Sequence, residues 1–218
     1  MNEQNHNKII MKAAREVLAP NGLLQKGQSR IWLDDNGWFF TVVEFQPSGW
    51  EKGTFLNVGM HYLWANKEYL TFDCGYREHE CVVYTGDDAA FYAAVRSLAQ
   101  QAMEKVLFYR AFRQPSAAHS CLAQQQAAPC AGQLYQKMML CALGKEAAAQ
   151  EHFKALLAHC TKAAQPGALY AELTDKIQPV VEEPTAFYAY VRDKICLQRS
   201  FWRAKASMKN LPLDTEFL

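Results

Sequence analysis

The chain has 218 residues, enough for one large domain or two small ones, and its 50% hydrophobic content excludes the disordered class. Its 23 Lys and Arg residues balance 22 Asp and Glu residues, so the chain as a whole lacks the basic excess of a dedicated nucleic-acid-binding protein. The start MNEQNHNKII has no apolar segment of signal-peptide length, and no run of about 18 apolar residues occurs. We therefore expect neither secretion by a cleaved signal nor a membrane-spanning segment.

Cysteine usage indicates a reducing compartment. The seven cysteines are an odd number and include no CxxC pair, unlike the disulfide framework of a short secreted protein. Four of them fall in an Ala-rich helical stretch, where a cysteine usually acts as a small buried hydrophobe. We expect reduced thiols and a cytoplasmic location.

The first predicted element is a helix over residues 5–19, which Pro20, Asn21 and Gly22 end. Its apolar residues recur at one- and four-residue spacings and so share one helix face. These residues are Ile9, Ile10, Ala13, Ala14, Val17 and Leu18.

The next sixty residues predict an antiparallel meander of four or five strands. A short β-prone run over 29–35 leads into Asn36-Gly37, a strong hairpin signal, and then into a β-rich run over 38–46. The run 54–64 alternates, with Leu56, Val58 and Met60 among the residues predicted to face the core. Residues 69–84 predict one or two further strands with a bend at Gly75.

A long helix from about residue 87 to 113 is predicted to cover one face of this sheet. Its apolar residues step by three or four positions and form one stripe. The stripe consists of Phe91, Val95, Leu98, Ala102, Val106 and Tyr109.

The second half of the chain is predicted to be helical. Residues 114–129 are rich in Ala, Gln, Ser and Pro and predict a linker between a domain at 1–113 and an all-helical region at 130–218. Segments 130–143 and 145–163 flank Gly144 and predict an αα-hairpin, followed by a short helix at 168–177. A last helix is predicted from Pro184 to about residue 209, with a loose tail after it.

Short motifs in the first half resemble a family of bacterial domains of unknown function. They are Gly22, Lys26 and Gly27 before the meander, the bend Phe45-Gln46-x-Ser48-x-Trp50, and Asn57-x-Gly59 in the following strand. The resemblance covers residues 5–113 and implies a helix, meander and long helix. It implies no activity, cofactor or site residue.

A polar group in the predicted sheet is the first candidate site. Glu44, His61, Asp73 and Arg77 supply carboxylates, an imidazole and a guanidinium, which suit acid–base catalysis or the binding of a polar or anionic molecule. If they share the exposed sheet face, Glu44 or Asp73 is the candidate base, His61 the proton shuttle and Arg77 the anion clamp. The alternative is a solvated face with cross-strand charge pairs, which is ordinary in antiparallel sheets.

Two other features of the meander bear on ligand binding. Trp50 lies in the bend PSGWEKG, where either packing over the sheet or stacking on a ligand is possible. His61, Cys74, His79 and Cys81 are metal-ligating residue types but lack the paired spacing of a zinc site. We therefore expect no metal and no cofactor.

The last predicted helix is locally basic. Between residues 184 and 210, six basic residues face one acidic residue, with aromatic residues interleaved. The candidates for contact with nucleic acid are Arg192, Lys194, Arg199 and Arg203. The favoured interpretation is a helix that packs its aromatic side and exposes its basic side, so nucleic acid is not the expected partner.

Catalytic motifs are missing from the sequence. It has no G-x-S-x-G, no P-loop and no G-x-G-x-x-G, which excludes the common hydrolase, NTPase and Rossmann classes. We expect an α+β protein that binds a protein partner or a second copy of itself without catalysing a reaction. The alternatives are an enzyme or ligand-binding domain acting on the exposed sheet face and, more weakly, nucleic-acid association through the basic helix.

Overall fold

The computed structural model describes residues 4–123, 130–162 and 167–205. Within these ranges the chain forms an N-terminal helix, five strands, a long helix and a series of shorter helices, which confirms the predicted α+β class. The strands are β1 (Leu24–Gln25), β2 (Ile31–Asp35), β3 (Phe39–Pro47), β4 (Gly53–Tyr62) and β5 (Cys74–Val83). The helices are α1 (Gln4–Leu18), α2 (Asp88–Arg110), α3 (Pro115–Ala123), α4 (Ala131–Leu143), α5 (Ala148–Thr161), α6 (Ala168–Glu172) and α7 (Pro184–Ala204).

The sheet is an antiparallel meander in the order β1-β2-β3-β4-β5. In its longest pairing, Phe39 of β3 lies opposite Tyr62 of β4 and Pro47 lies opposite Thr54. This register puts Leu56, Val58 and Met60 on one face, where all three are buried, as the alternation predicted. Asn57 and His61 lie on the opposite face, which was expected to be exposed, and they are buried as well. The two-residue strand β1 completes the sheet and had no counterpart among the predicted strands.

Helix α2 covers that apolar face. It contacts β3, β4 and β5, and it also packs against α1. All six residues of its predicted stripe are buried. The apolar stripe of this 23-residue helix packs on the apolar face of the sheet, and both surfaces are removed from water. This burial is the main driving force for this part of the fold.

Two arginines hold the β2–β3 hairpin at adjacent aspartates. Arg110, the last residue of α2, donates from Nε and Nη2 to the Asp34 carboxylate at 3.0 and 2.6 Å. Arg199 of α7 donates from Nη1 and Nη2 to the two oxygens of Asp35 at 2.6 Å each, and from Nη1 to the carbonyl oxygen of Gly37 at 2.9 Å. Successive strand residues point to opposite faces, so the two ion pairs fix the hairpin from both sides of the sheet.

Strand β5 is continuous from Cys74 to Val83, and Gly75 pairs directly with Gly59, so the bend predicted at Gly75 does not interrupt the strand. Gly75 has a φ of +82°, and a Cβ there would lie 2.3 Å from the Tyr109 hydroxyl. Only glycine fits this position without strain, because a Cβ would also lie 2.8 Å from the backbone carbonyl oxygen of Val58. The pairing of β4 with β5 also shifts register between Thr54 and Asn57.

The second half is helical, as predicted, but part of the predicted linker is helical too. Helix α3 occupies residues 115–123, and the rest of the linker, 124–129, lies outside the described residues. Helices α4 and α5 form the predicted αα-hairpin. A single π-helical turn, Leu173–Ile177, follows α6. Helix α7 ends at Ala204, and the predicted loose tail lies outside the described residues.

The described chain divides into two compact units. One contains residues 4–63, 67–110 and 199–205, and the other contains 64–66 and the described residues of 111–198. The second unit therefore begins within the segment that follows α2, and the last turn of α7 belongs to the first unit. No helix in the described ranges is both long enough and apolar enough to cross a membrane.

Candidate functional site

The predicted polar residues of the meander form two clusters. Glu44 and Asn57 are directly paired across β3 and β4, and Arg77 of β5 is paired with Asn57. His61 lies four residues further along β4, about 13 Å away at the rise of a strand. Glu44 and Arg77 therefore belong to one cluster, while His61 and Asp73 belong to another.

The first cluster, which we call the hairpin cluster, consists of Glu44, Gln46, Asn57 and Arg77. The buried amide of Asn57 donates to Glu44 Oε2 and Gln46 Oε1, both at 2.9 Å. Arg77 Nη2 donates to Gln46 Oε1 at 2.7 Å, and Arg77 Nε donates to Asn57 Oδ1 at 3.4 Å. The Arg77 guanidinium carbon also lies 3.9 Å from the centre of the Phe55 ring. These contacts orient an exposed guanidinium that keeps further N–H groups for an anion.

The second cluster surrounds His61 and is buried. His61 Nδ1 lies 3.0 Å from Thr71 Oγ1 and accepts from the Thr71 backbone N–H at 3.3 Å. Asp73 Oδ1 accepts from Thr71 Oγ1 at 3.1 Å and from Lys67 Nζ at 2.8 Å. Asp73 Oδ2 accepts from the backbone N–H of Tyr62 at 2.9 Å. Asp73 is thus committed to holding the segment between β4 and β5.

The expectation that His61 lies on an exposed face is wrong, because its side chain is 0% exposed. The indole of Trp202, in the last turn of α7, meets the His61 ring edge-on at 6.0 Å, and Phe40 stacks near it at 6.3 Å. Burial lowers the pKa of His61 to about 4, although Asp73 acts in the opposite direction. The imidazole of His61 is neutral and enclosed, and its Nε2 has no hydrogen-bond partner. It therefore affects the stability of the fold and does not contact a substrate from solvent.

Trp50 is the most exposed large hydrophobic residue of the described chain, at 97%. It lies in the turn between β3 and β4, where Ser48 Oγ accepts from the backbone N–H groups of Trp50 and Glu51 at 3.3 and 3.4 Å. The backbone N–H of Tyr84 donates to the Lys52 carbonyl at 2.7 Å and ties the end of the turn to the end of β5. The turn is therefore ordered by hydrogen bonds, while the indole has no packing partner that would explain it as core.

The basic helix α7 uses part of its charge inside the protein. Arg199 is 1% exposed and is neutralised by Asp35. Lys194 forms an ion pair with Glu172, whose Oε1 also accepts from the hydroxyls of Tyr135 and Tyr190 at 2.9 and 2.7 Å. Burial would raise the pKa of Glu172, but the hydrogen bonds from Lys194 and the tyrosines keep it below its usual value. The other two candidates, Arg192 and Arg203, are exposed, and Arg192 contacts Asp193.

A cluster of metal-ligating side chains lies in the helical unit, where the sequence contains no metal-binding motif. Among the described residues, the only three His, Cys, Asp or Glu side chains close enough to share one metal ion are His119, Cys141 and Glu146. His61, Cys74, His79 and Cys81 do not form such a group. The spacing between residues 119, 141 and 146 follows no zinc pattern, so only their approach in the helical unit could identify them.

No protein-family model, curated protein or solved structure gives a significant match to the chain. The resemblance of residues 5–113 to a bacterial family therefore stays a prediction.

Proposed function

We propose that this protein is a non-enzymatic binding protein of the cytoplasm that engages another protein through the tip of its β3–β4 hairpin. The observation that carries the proposal is the 97% exposure of Trp50 on a hydrogen-bonded turn. Tryptophan is among the residues most enriched in binding hot spots, because a single ring buries a large apolar area at low entropic cost.

The energy available from Trp50 is sufficient for a specific contact. A tryptophan buries roughly 200 Å² when it is enclosed, which corresponds to a gross gain of about 5 kcal/mol at 25 cal/mol per Å². Hot-spot tryptophans typically lose 2 kcal/mol or more on truncation to alanine. The Ser48 turn reduces the ordering cost of binding, because the backbone beneath the indole is already held in place.

The hairpin cluster adds a polar component further along the same hairpin, because Arg77 lies six residues, or about 20 Å at the rise of a strand, from Val83, which pairs beside the turn. Arg77 is exposed yet oriented by Gln46, Asn57 and the Phe55 ring, all on the same hairpin or its neighbouring strand. A pre-oriented guanidinium favours a partner that presents a carboxylate. We infer that the partner carries an apolar pocket for Trp50 and an acidic group for Arg77.

Other features agree with a bacterial cytoplasmic protein. The cysteines whose side chains are described, six in number, are all free thiols. The resemblance of residues 5–113 supports a bacterial source. The alternative of catalysis on the sheet face loses its proton shuttle, because His61 is buried apart from Glu44 and Arg77.

Photo-crosslinking tests the proposal directly. A benzophenone amino acid replaces Trp50 in one variant and Tyr69, an aromatic residue that is 66% exposed, in a matched control. We expect a defined crosslinked protein in cells from position 50 only. In a separate experiment without the photo-crosslinker, the amount of that partner recovered with the chain should fall at least tenfold in Trp50→Ala and should not fall in Tyr69→Ala. A product of twice the chain mass would identify a second copy as the partner. No crosslink at position 50, or equal products from both positions, contradicts the proposal.

A further inference from the structure

We propose that His119, Cys141 and Glu146 bind a single Zn²⁺ ion in the helical unit. The three side chains come from α3, from α4 and from the turn after α4. They combine an imidazole, a thiol and a carboxylate, which are the three ligand types that zinc uses in proteins.

The turn after α4 brings Glu146 back over Cys141. The backbone N–H of Glu146 donates to the carbonyl of Cys141 at 2.8 Å, and the N–H of Lys145 donates to the carbonyl of Ala142 at 3.0 Å. This is the Schellman pattern of helix ends, with Lys145 in the left-handed conformation at φ +55°. This motif places Cys141 and Glu146 side by side. Residues at these two positions usually make a hydrophobic contact, whereas here they carry a thiol and a carboxylate.

His119 of α3 lies between these two side chains. Its Nε2 is 3.7 Å from Cys141 Sγ, and its Nδ1 is 3.2 Å from Glu146 Oε2. Two ligand atoms of a tetrahedral zinc ion lie about 3.3–3.6 Å apart, given bonds of about 2.0–2.3 Å. The two contacts use opposite nitrogens of His119, whereas an imidazole binds one ion through a single nitrogen. With one ligand atom taken from each residue, the three atoms lie within 4.8 Å of one another. To reach tetrahedral distances, the side chains must rotate so that one nitrogen of His119 faces the same point as the Cys141 thiolate and the Glu146 carboxylate.

Charge and access are also compatible with an ion. A Zn²⁺ ion bound by one thiolate and one carboxylate leaves a site of zero net charge, which limits the cost of partial burial. Cys141 is 3% exposed, while the side chains of His119 and Glu146 are 27% and 36% exposed, so the ion can enter from their side.

The same three residues do not suit nucleophilic catalysis. The order thiol, imidazole, carboxylate matches that of a cysteine hydrolase, but Cys141 is enclosed within α4. The backbone N–H groups of Gly144, Lys145 and Glu146 all donate to carbonyls of α4, so they are not free to stabilise an oxyanion. A metal ion needs only the ligand atoms.

The test is titration of the purified chain with Zn²⁺ alone, followed by calorimetry, together with titration with Co²⁺ followed by absorption. We expect one ion per chain and a thiolate-to-cobalt charge-transfer band. Binding should weaken at least about 100-fold in Cys141→Ser and His119→Gln, and about 10-fold or more in Glu146→Gln. Cys160→Ser, which removes a half-buried thiol from α5, is the matched control and should bind as the wild type does.

A measurement on the wild-type chain tests the proposal even if the variants fail to fold. Zn²⁺ should protect Cys141 from alkylation by iodoacetamide in denaturant-free buffer, more than it protects Cys160, as read by peptide mass spectrometry. The proposal is overturned by the absence of saturable Zn²⁺ binding, by a cobalt complex without a thiolate band, or by binding that folded Cys141→Ser retains.

Discussion

Acidification from pH 7 to pH 5 should destabilise the first unit through His61. The imidazole is fully buried next to Trp202, Phe40 and the Thr71–Asp73–Lys67 group. Its pKa is lowered from 6.5 to about 4 by that burial. Between these two values the unfolded chain binds a proton that the folded chain does not, so stability falls as the pH falls.

The size of the effect follows from the shift in pKa. Stability changes by up to about 1.4 kcal/mol for each pH unit within the window, and a shift of this size corresponds to roughly 3 kcal/mol over the whole window. Between pH 7 and pH 5 the contribution of His61 is about 2 kcal/mol. His61→Asn removes the titrating group and keeps an acceptor for the Thr71 backbone N–H.

Urea unfolding at pH 7 and pH 5, followed by tryptophan fluorescence, measures this contribution. The wild type should lose about 2 kcal/mol more free energy of unfolding than His61→Asn between the two pH values. His79→Gln, which alters an exposed histidine on β5, should keep the wild-type pH dependence. Equal losses in the wild type and in His61→Asn would refute the assignment of a buried, neutral imidazole.

Two further predictions concern the ion pair between Arg199 and Asp35 and the glycine at position 75 of β5. Arg199→Met removes the partner of Asp35 and should lower the free energy of unfolding by about 3 kcal/mol, whereas Arg203→Met, an exposed control on the same helix, should change it by less than about 0.5 kcal/mol in the same urea assay. Adding Asp35→Asn to Arg199→Met should recover part of the loss, and a fully additive double variant would contradict the pairing. Gly75→Ala should cost more than Gly86→Ala, because both positions have positive φ but only at Gly75 does the Cβ clash with Tyr109. Equal melting temperatures for the two glycine variants would show that the contact with α2 relaxes freely.

The sequence predicted the elements whose signal is local. The stripe of α2 and the alternation of β4 repeat at the periods of a helix and a strand, so the core face could be read from spacing alone. Asn36-Gly37 likewise marked the β2–β3 hairpin. Strand β1, with two residues, is too short for any pattern to emerge.

The contacts that the sequence could not predict join distant residues. Arg199 meets Asp35 across 164 positions, and nothing near either residue indicates the other. Trp202 buries His61 for the same reason, so an imidazole on the non-core side of an amphipathic strand was expected to be exposed. His119, Cys141 and Glu146 meet only through the packing of α3 on α4 and the turn after it. Trp50 could be singled out because a large aromatic residue in a Gly-flanked bend has few neighbours to pack against.

The central claim is that a partner protein buries the Trp50 side chain, and this burial can be measured at the fluorine atom of a single labelled tryptophan. Trp32, Trp38, Trp64 and Trp202 are each at most 2% exposed, whereas Trp50 is 97% exposed. In protein labelled with 5-fluorotryptophan, Trp50→Phe assigns the Trp50 resonance in the ¹⁹F NMR spectrum. On addition of the partner captured at position 50, that resonance should shift and lose its sensitivity to the solvent isotope, while the other four stay unchanged. A Trp50 resonance that remains solvent-exposed in the complex would contradict the account.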